Sequence, residues 1–273
     1  MQSQQTPSQR VERRVIAVLR ARGQDLVRAL PDGLEPIEHR GVGFVLLDYA
    51  RVRPMHLGPV RLGRAIDRLS WKLPVLHRRS DRANRGVWAG RRWSSAGRLA
   101  RFAEYQLQRG LAHNAACGLL PEPSRAAWFQ HREEGLHTEL EVRSGSGPAT
   151  TRTAYLRMEA YGQLSGSVFA NVRAAEEELQ SWGGPLLGSS SLAECDTAGF
   201  ATGPFGLQPM TVHSLQTASL PELLPDIESA VEFDSAFRVV RRRLQPAPGR
   251  LEAWRQLPSD PLQMPPEGAY SVG

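Results

Sequence analysis

The chain has 273 residues and a mass of 30.2 kDa, with 41% hydrophobic and 23% charged residues. That is enough to bury a sizeable core, and it excludes wholesale disorder. The net charge is +6 and the pI is near 10, yet the longest apolar run of note, Val42 to Leu47 before Asp48, is far short of the roughly 18–20 residues of a membrane span.

In chain order, residues 1–9 are polar and are expected to be disordered. Val15 to Leu19 reads as a buried strand, and Gln24 to Leu30 as two helical turns with Leu26, Val27 and Leu30 facing inward. Pro31-Asp32-Gly33 is strong turn chemistry. Leu34 to His39 predicts a short strand, Arg40-Gly41 a second turn, and Val42 to Val52 a long strand. Residues 54–63 read as a loop. Leu69, Trp71, Leu73 and Val75 alternate with Ser70, Lys72 and Pro74, the period of a half-buried strand. Residues 80–85 form a charged loop, and 86–93 return as a strand. Ser94-Ser95 offers a cap for a helix to Arg109, with Leu99, Phe102, Ala103 and Leu107 on one face.

Three strands follow at about 112–119, 126–132 and 136–143, then a loop at 144–148 and a short strand from Ala154 to Met158. Ser167 is placed to cap a second helix, 168–182, ended by Gly183-Gly184-Pro185. Strands at about 192–199 and 208–215, a Pro-containing stretch at 219–227 and a last strand at 231–244 complete the order. The tail beyond Leu257 is Pro-rich and expected to be unfolded. About ten strands with two substantial helices predict an α+β, mainly β fold: an antiparallel β-barrel or curved sheet with packed helices. The expected organisation is a single domain over 10–256 between disordered ends, 1–9 and 257–273.

No nucleophile elbow, Walker loop or G-x-G-x-x-G occurs. Lys72 is the only lysine, so nearly all the positive charge is arginine. Arginine grips phosphate well, but the arginines are interleaved with 28 carboxylates. Codon bias explains the excess more simply than nucleic-acid binding. Cys117 and Cys195 form no C-x-x-C pair and read as buried thiols of a reducing cytoplasm. The start, Met1 to Gln5, has no signal-peptide character, in keeping with a cytoplasmic location. His131 and His137 are six apart without the H-E-x-x-H pattern, so a solvated hairpin is the simpler reading. Parity puts Lys72 opposite Leu69, Trp71 and Leu73, hence toward solvent if that apolar face is interior. Glu232 and Asp234 share a face that is expected to meet water, opposite Val231, Phe233 and Phe237. His113, in a small apolar segment after the first long helix, is either a hydrogen-bonded core histidine or a pocket acid/base.

Several segments, in order, resemble the acetoacetate decarboxylase superfamily, most closely its uncharacterised branch, a domain of unknown function. They are Val15 to Arg20; Leu30-Pro-Asp-Gly-Leu-Glu-Pro36; Leu73-Pro74-Val75 with Gly86 to Arg92 and Ser94-Ser95; Gly110 to Ala115; Ser167 to Phe169 with Ala174 to Glu176 and Trp182; and Val231 to Phe237. The resemblance spans roughly residues 12–245. It implies an acetoacetate-decarboxylase-like β-barrel or cone whose interior binds a small carbonyl or carboxylate ligand. The family's catalytic amine is a lysine that forms a Schiff base. Here Gly97-Arg98 is present but the segment beyond it has no lysine, and His113 is the nearest counterpart. The family's pocket glutamate falls near Asp67.

The resemblance therefore implies a barrel without Schiff-base decarboxylation. Arg92 would anchor an anion, and His113 and Asp67 would line the pocket and serve proton transfer. No cofactor or metal is expected. The expected partner is a small molecule of the oxo-acid class, with no membrane; a homo-oligomer is allowed. The rival classes are a non-enzymatic ligand-binding or interaction protein and, less favoured, an arginine-rich nucleic-acid binder.

Overall fold

The computed structural model describes residues 11–52, 55–57, 60–62, 64–79, 82–102, 123–145, 150–181, 205–218, 220 and 231–241. Strand β1 (Val11–Arg22) shows what organises them. Val15, Ala17, Leu19 and Ala21 are buried in one apolar cluster, and Ile16 and Val18 in another. A strand buried on both faces needs a layer on each side.

The inner layer is the barrel itself. After α1 (Gly23–Ala29), β2 (Leu34–Pro36) and β3 (Glu38–His39) come the long strands β4 (Val42–Val52), β7 (Ile66–Arg79) and β8 (Arg82–Ser94). Between β4 and β7 lies a separate ribbon, β5 (Met55–Leu57) with β6 (Val60–Leu62), where a loop was expected. Then follow β9 (Arg125–Glu134), β10 (His137–Ser144), β11 (Thr151–Ala160), helix α2 (Val172–Ser181), β12 (Phe205–Thr217) and β13 (Glu232–Arg241). Nine strands close in the order β7-β8-β9-β10-β11-β12-β13-β1-β4 and back to β7. All neighbours are antiparallel except β8 and β9, which meet in parallel at Trp93 and Arg125. All nine strands contribute to the larger apolar cluster, which is therefore the lumen. The mainly β fold class expected from the sequence is the one observed.

One end of the lumen is plugged by α1. Leu26 is fully buried there, and a Cβ on Gly43 would lie 2.5 Å from Leu26 Cδ1, so the glycine permits the helix its approach. Val27, expected to face inward, is 52% exposed. Seven residues form barely two turns, and only the stripe carrying Leu26 meets the barrel. The β3–β4 hairpin turns on Arg40 and Gly41, both with positive φ (56° and 80°), the requirement of a tight two-residue hairpin.

The outer layer covers part of the barrel wall. Ile16, Val18, Phe44, Leu46, Leu207 and Phe237 pack with Phe169, Ala175 and Leu179. Phe169 stacks on Phe44 at 6.0 Å and meets Phe237 edge-on. Helix α2 begins at Val172, later than expected. Asn171 Oδ1 accepts the Ala174 N–H at 2.9 Å and is the cap, while the Ser167 hydroxyl accepts from the Phe169 N–H and donates to Asp234. Asn171→Ala is expected to cost about 1 kcal/mol, read as a lowered thermal midpoint.

The helix expected after Ser94-Ser95 starts at residue 98. Ser94 Oγ accepts from the Ala96 N–H and Ser95 Oγ from the Asp67 N–H, so neither caps it. Leu99 and Phe102 are exposed rather than packed. The strands expected at 112–119 and 192–199, the Pro-containing stretch 219–227 apart from Leu220, both cysteines, residues 1–9 and the tail lie outside the described residues. Among the described residues no helix is long and apolar enough to cross a membrane.

Candidate functional site

The end of the lumen away from α1 is polar. Its side chains come from four consecutive strands, β13, β1, β4 and β7, and from β9, which meets them across the lumen. Arg13 of β1 donates through Nη1 to His131 Nδ1 of β9 at 2.9 Å, and its Nη2 lies 3.1 Å from Glu133 Oε2. Arg238 of β13 reaches Glu133 Oε1 at 3.5 Å. The ring of Tyr49, on β4, stacks on His131 at 5.7 Å. The Tyr49 hydroxyl donates to Asp67 Oδ1 of β7 at 2.8 Å. Arg51 Nη1 lies 3.8 Å from that same oxygen, and its Nε is 3.3 Å from Glu12. Below this ring the lumen is apolar, with Val15, Leu47, Leu69 and Trp71 buried. Trp93 pairs with Leu69, one pleat from Asp67. Its buried indole N–H has no hydrogen-bond partner among the described residues.

The electrostatics follow from this geometry. Arginine only donates, so His131 Nδ1 is the acceptor and the imidazole is neutral with its proton on Nε2. Burial, joined by the Arg13 guanidinium and opposed by Glu133, lowers the His131 pKa, which favours that neutral form. Burial first, then the Asp67 carboxylate, pushes the Tyr49 phenol upward, so it stays a donor. The site thus combines three guanidiniums, each 37–39% exposed at the side chain, with a neutral imidazole, a phenol and three carboxylates, Glu12, Asp67 and Glu133. Such a set can bind an anion through N–H groups and offers an acceptor for a proton.

The side chains singled out in the sequence are not brought together. Asp67 lies in this cluster. Arg92 pairs with Ser70 on the opposite face of the wall and is buried there. His113 lies outside the described residues. His131, read as part of a solvated hairpin, is a correction. The hairpin exists, turning at Gly135 with φ 60°, but the His131 side chain is only 5% exposed. The available signal was parity: Ala127, Phe129, His131 and Glu133 share one strand face.

Lys72 is also corrected. Parity put it opposite Leu69, Trp71 and Leu73, which is where it lies, but it does not meet solvent. It is 4% exposed, and its Nζ donates to Asp48 Oδ2 at 2.6 Å. Arg14 grips the same carboxylate with two bonds, at 2.7 and 2.6 Å. Burial would raise the Asp48 pKa, but Arg14 and then Lys72 outweigh it and bring it down to about 2. The carboxylate is ionised at neutral pH and is ion-paired with Lys72. The only side-chain amine is therefore outside the lumen and in an ion pair.

No family model matches the chain, and no curated protein matches it. The barrel is similar to solved structures of acetoacetate decarboxylase and its relatives. One is an acetoacetate decarboxylase from Legionella pneumophila, with 15% identity over 86% of this chain and 85% of that one and a TM-score of 0.47. Another is an acetoacetate decarboxylase-like enzyme from Sphingomonas wittichii RW1, with 10% identity, coverage of 84% and 88% and a TM-score of 0.40. A third is the enduracididine biosynthesis enzyme MppR complexed with pyruvate, with 10% identity, 86% coverage of both chains and a TM-score of 0.43. The chemistry of the mouth is that of its own side chains and takes nothing from these proteins.

Proposed function

We propose that the polar mouth of the barrel binds a small carboxylate-bearing molecule of the oxo-acid class, without forming an imine. The observation that carries this reading is the convergence of Arg13, Arg51 and Arg238 on one end of the lumen, beside His131, Tyr49 and Asp67, while Lys72 is ion-paired on the other face of the wall. Guanidiniums offer paired N–H donors to a carboxylate. The apolar lumen below accepts the rest of a small ligand. In this reading Asp67 and neutral His131 serve proton transfer at a carbon beside the ligand's carbonyl, the role the family resemblance implies for Asp67 and His113.

The test is a panel of α-keto and β-keto acids offered to the full chain. Binding is read by calorimetry and covalent capture by borohydride reduction with intact mass and peptide mapping. Saturable binding is expected, with no adduct on Lys72. Arg13→Ala and Arg238→Ala are each expected to weaken it about tenfold, or about 1.4 kcal/mol. A reduced adduct on Lys72, or no binding by any member of the panel, overturns the reading.

A further inference from the structure

On the outside of the barrel, far along the chain from one another, three side chains meet whose chemistry the lumen does not use. His137 lies on β10, Glu159 on β11 and His213 on β12, three consecutive strands of the wall. His137 and Glu159 are direct cross-strand partners. Thr138, Leu140 and Val142 face inward from β10, as do Leu156 and Met158 from β11. His137 and Glu159 therefore point outward. His213 owes its position to a β-bulge. In the β11–β12 ladder Met158 pairs with Val212 and Arg157 with Ser214, so His213 is the extra residue without a partner. A bulge re-aims the side chain it carries. Here it sets the His213 Nε2 at 3.1 Å from Glu159 Oε2 and the His213 ring 6.4 Å from that of His137. One ligand-type atom from each of the three lies within 4.8 Å of the others.

We infer that His137, Glu159 and His213 form a binding site for a divalent transition-metal ion, with zinc as the fitting case. Two imidazoles and one carboxylate are a donor set that zinc takes with an open fourth position. Metal–ligand distances near 2.0–2.1 Å place tetrahedral donors roughly 3.3 Å apart. One donor pair is already closer than that. The remaining closure is about 1.5 Å at most, within reach of side-chain rotation in groups that are exposed or half-buried. Neighbouring backbone is held by the ladder, so the strands supply the rigid part of the site. His137 also lines an outer groove of about 300 Å³ with Arg132, Glu139, Tyr155 and Arg157. That groove leaves room for water as the remaining ligand. The three residues are separated by 22 and 54 positions and match no short metal motif, so spacing along the chain does not mark the site.

The experiment is titration of the metal-free full-length chain with zinc chloride in a non-chelating buffer, followed by calorimetry. Visible absorption after cobalt substitution reports the ligand geometry. The expected result is one zinc per chain in the micromolar range. His137→Ala and His213→Ala should each weaken it at least tenfold, and Glu159→Gln should change the cobalt spectrum. Thermal melts of each variant establish that it is folded, and two histidine positions on separate strands guard against the failure of one. Absence of saturable binding overturns the proposal. So does binding that survives both histidine substitutions, since the other histidines would then be the ligands. The keto-acid panel reads the opposite face of the wall, so failure of one proposal leaves the other standing.

Discussion

Asp48→Ala is expected to destabilise the protein by about 3–5 kcal/mol. The carboxylate accepts two bonds from Arg14 and one from Lys72, and all three groups are at most 8% exposed. Removing it leaves two buried cations beside each other without the anion they share. The cost is that of uncompensated charge in a low-dielectric wall rather than of three lost contacts. Denaturant unfolding measures it. A loss under about 1 kcal/mol would mean that water reaches the triad.

The same carboxylate sets a pH dependence. Its pKa is lowered in the folded chain, to about 2 from an ordinary 3.8. The stabilisation is complete above the unfolded value and disappears as pH falls through the folded one. Between about pH 4 and pH 2 roughly 2 kcal/mol should be lost on this account. Asp48→Ala should flatten that part of the profile while leaving its neutral-pH side parallel to the wild type.

Asp234→Ala is expected to cost about 3 kcal/mol, while Glu232→Ala changes stability by no more than about 0.5 kcal/mol. The sequence places both on a face expected to meet water, but only Glu232 does, although Arg20 reaches both, at 3.3 and 3.6 Å. The β1–β13 register slips between Val18 and Leu19, which pair with Ser235 and Phe233, so Asp234 sits in a bulge. Its side chain is fully buried. It accepts from the hydroxyls of Ser167 and Ser235 at 2.7 and 2.8 Å and from the Val168 N–H at 2.9 Å. These bonds hold the segment that lays Phe169 over Phe44 and Phe237. Glu232 is 66% exposed and, among the described residues, pairs with Arg20 at 3.3 Å, a pair that solvent screens. Thermal melts of the two variants decide the matter: equal shifts would restore the solvent-facing pair.

What could be read in the chain was local. Pro31-Asp32-Gly33 and Arg40-Gly41 are turns because of their own backbone preferences, and the hairpin at Arg40 follows. Val42 to Val52 is a strand with the bounds expected of it. The alternation at Leu69, Trp71, Leu73 and Val75 placed those residues on the inner face and Lys72 on the other. On β9 the same logic was available but apolar character misled. Trp128 is 53% exposed, while His131, two residues from Phe129, enters the lumen. The mouth is lined by polar groups, so hydrophobicity there no longer marks the inside.

Alternation by itself determined which residues share a face of each strand, because successive side chains point to opposite sides of a pleated chain. Turn chemistry determined where many of those strands end. Whether a face is lumen, buried outer wall or open surface was decided only by tertiary structure. Lys72 and Asp234 are the clearest cases, since each lies under a layer contributed by residues distant in sequence or joins a bulge set by its partner strand. The candidate sites belong to the same class. Arg13, Tyr49, Asp67, His131 and Arg238 meet because the closed barrel brings β9 face to face across the lumen with the neighbouring strands β13, β1, β4 and β7. His137, Glu159 and His213 meet because one extra residue turns an imidazole toward its neighbour. Neither event leaves a spacing in the chain, since both are fixed by strand pairing and not by local geometry.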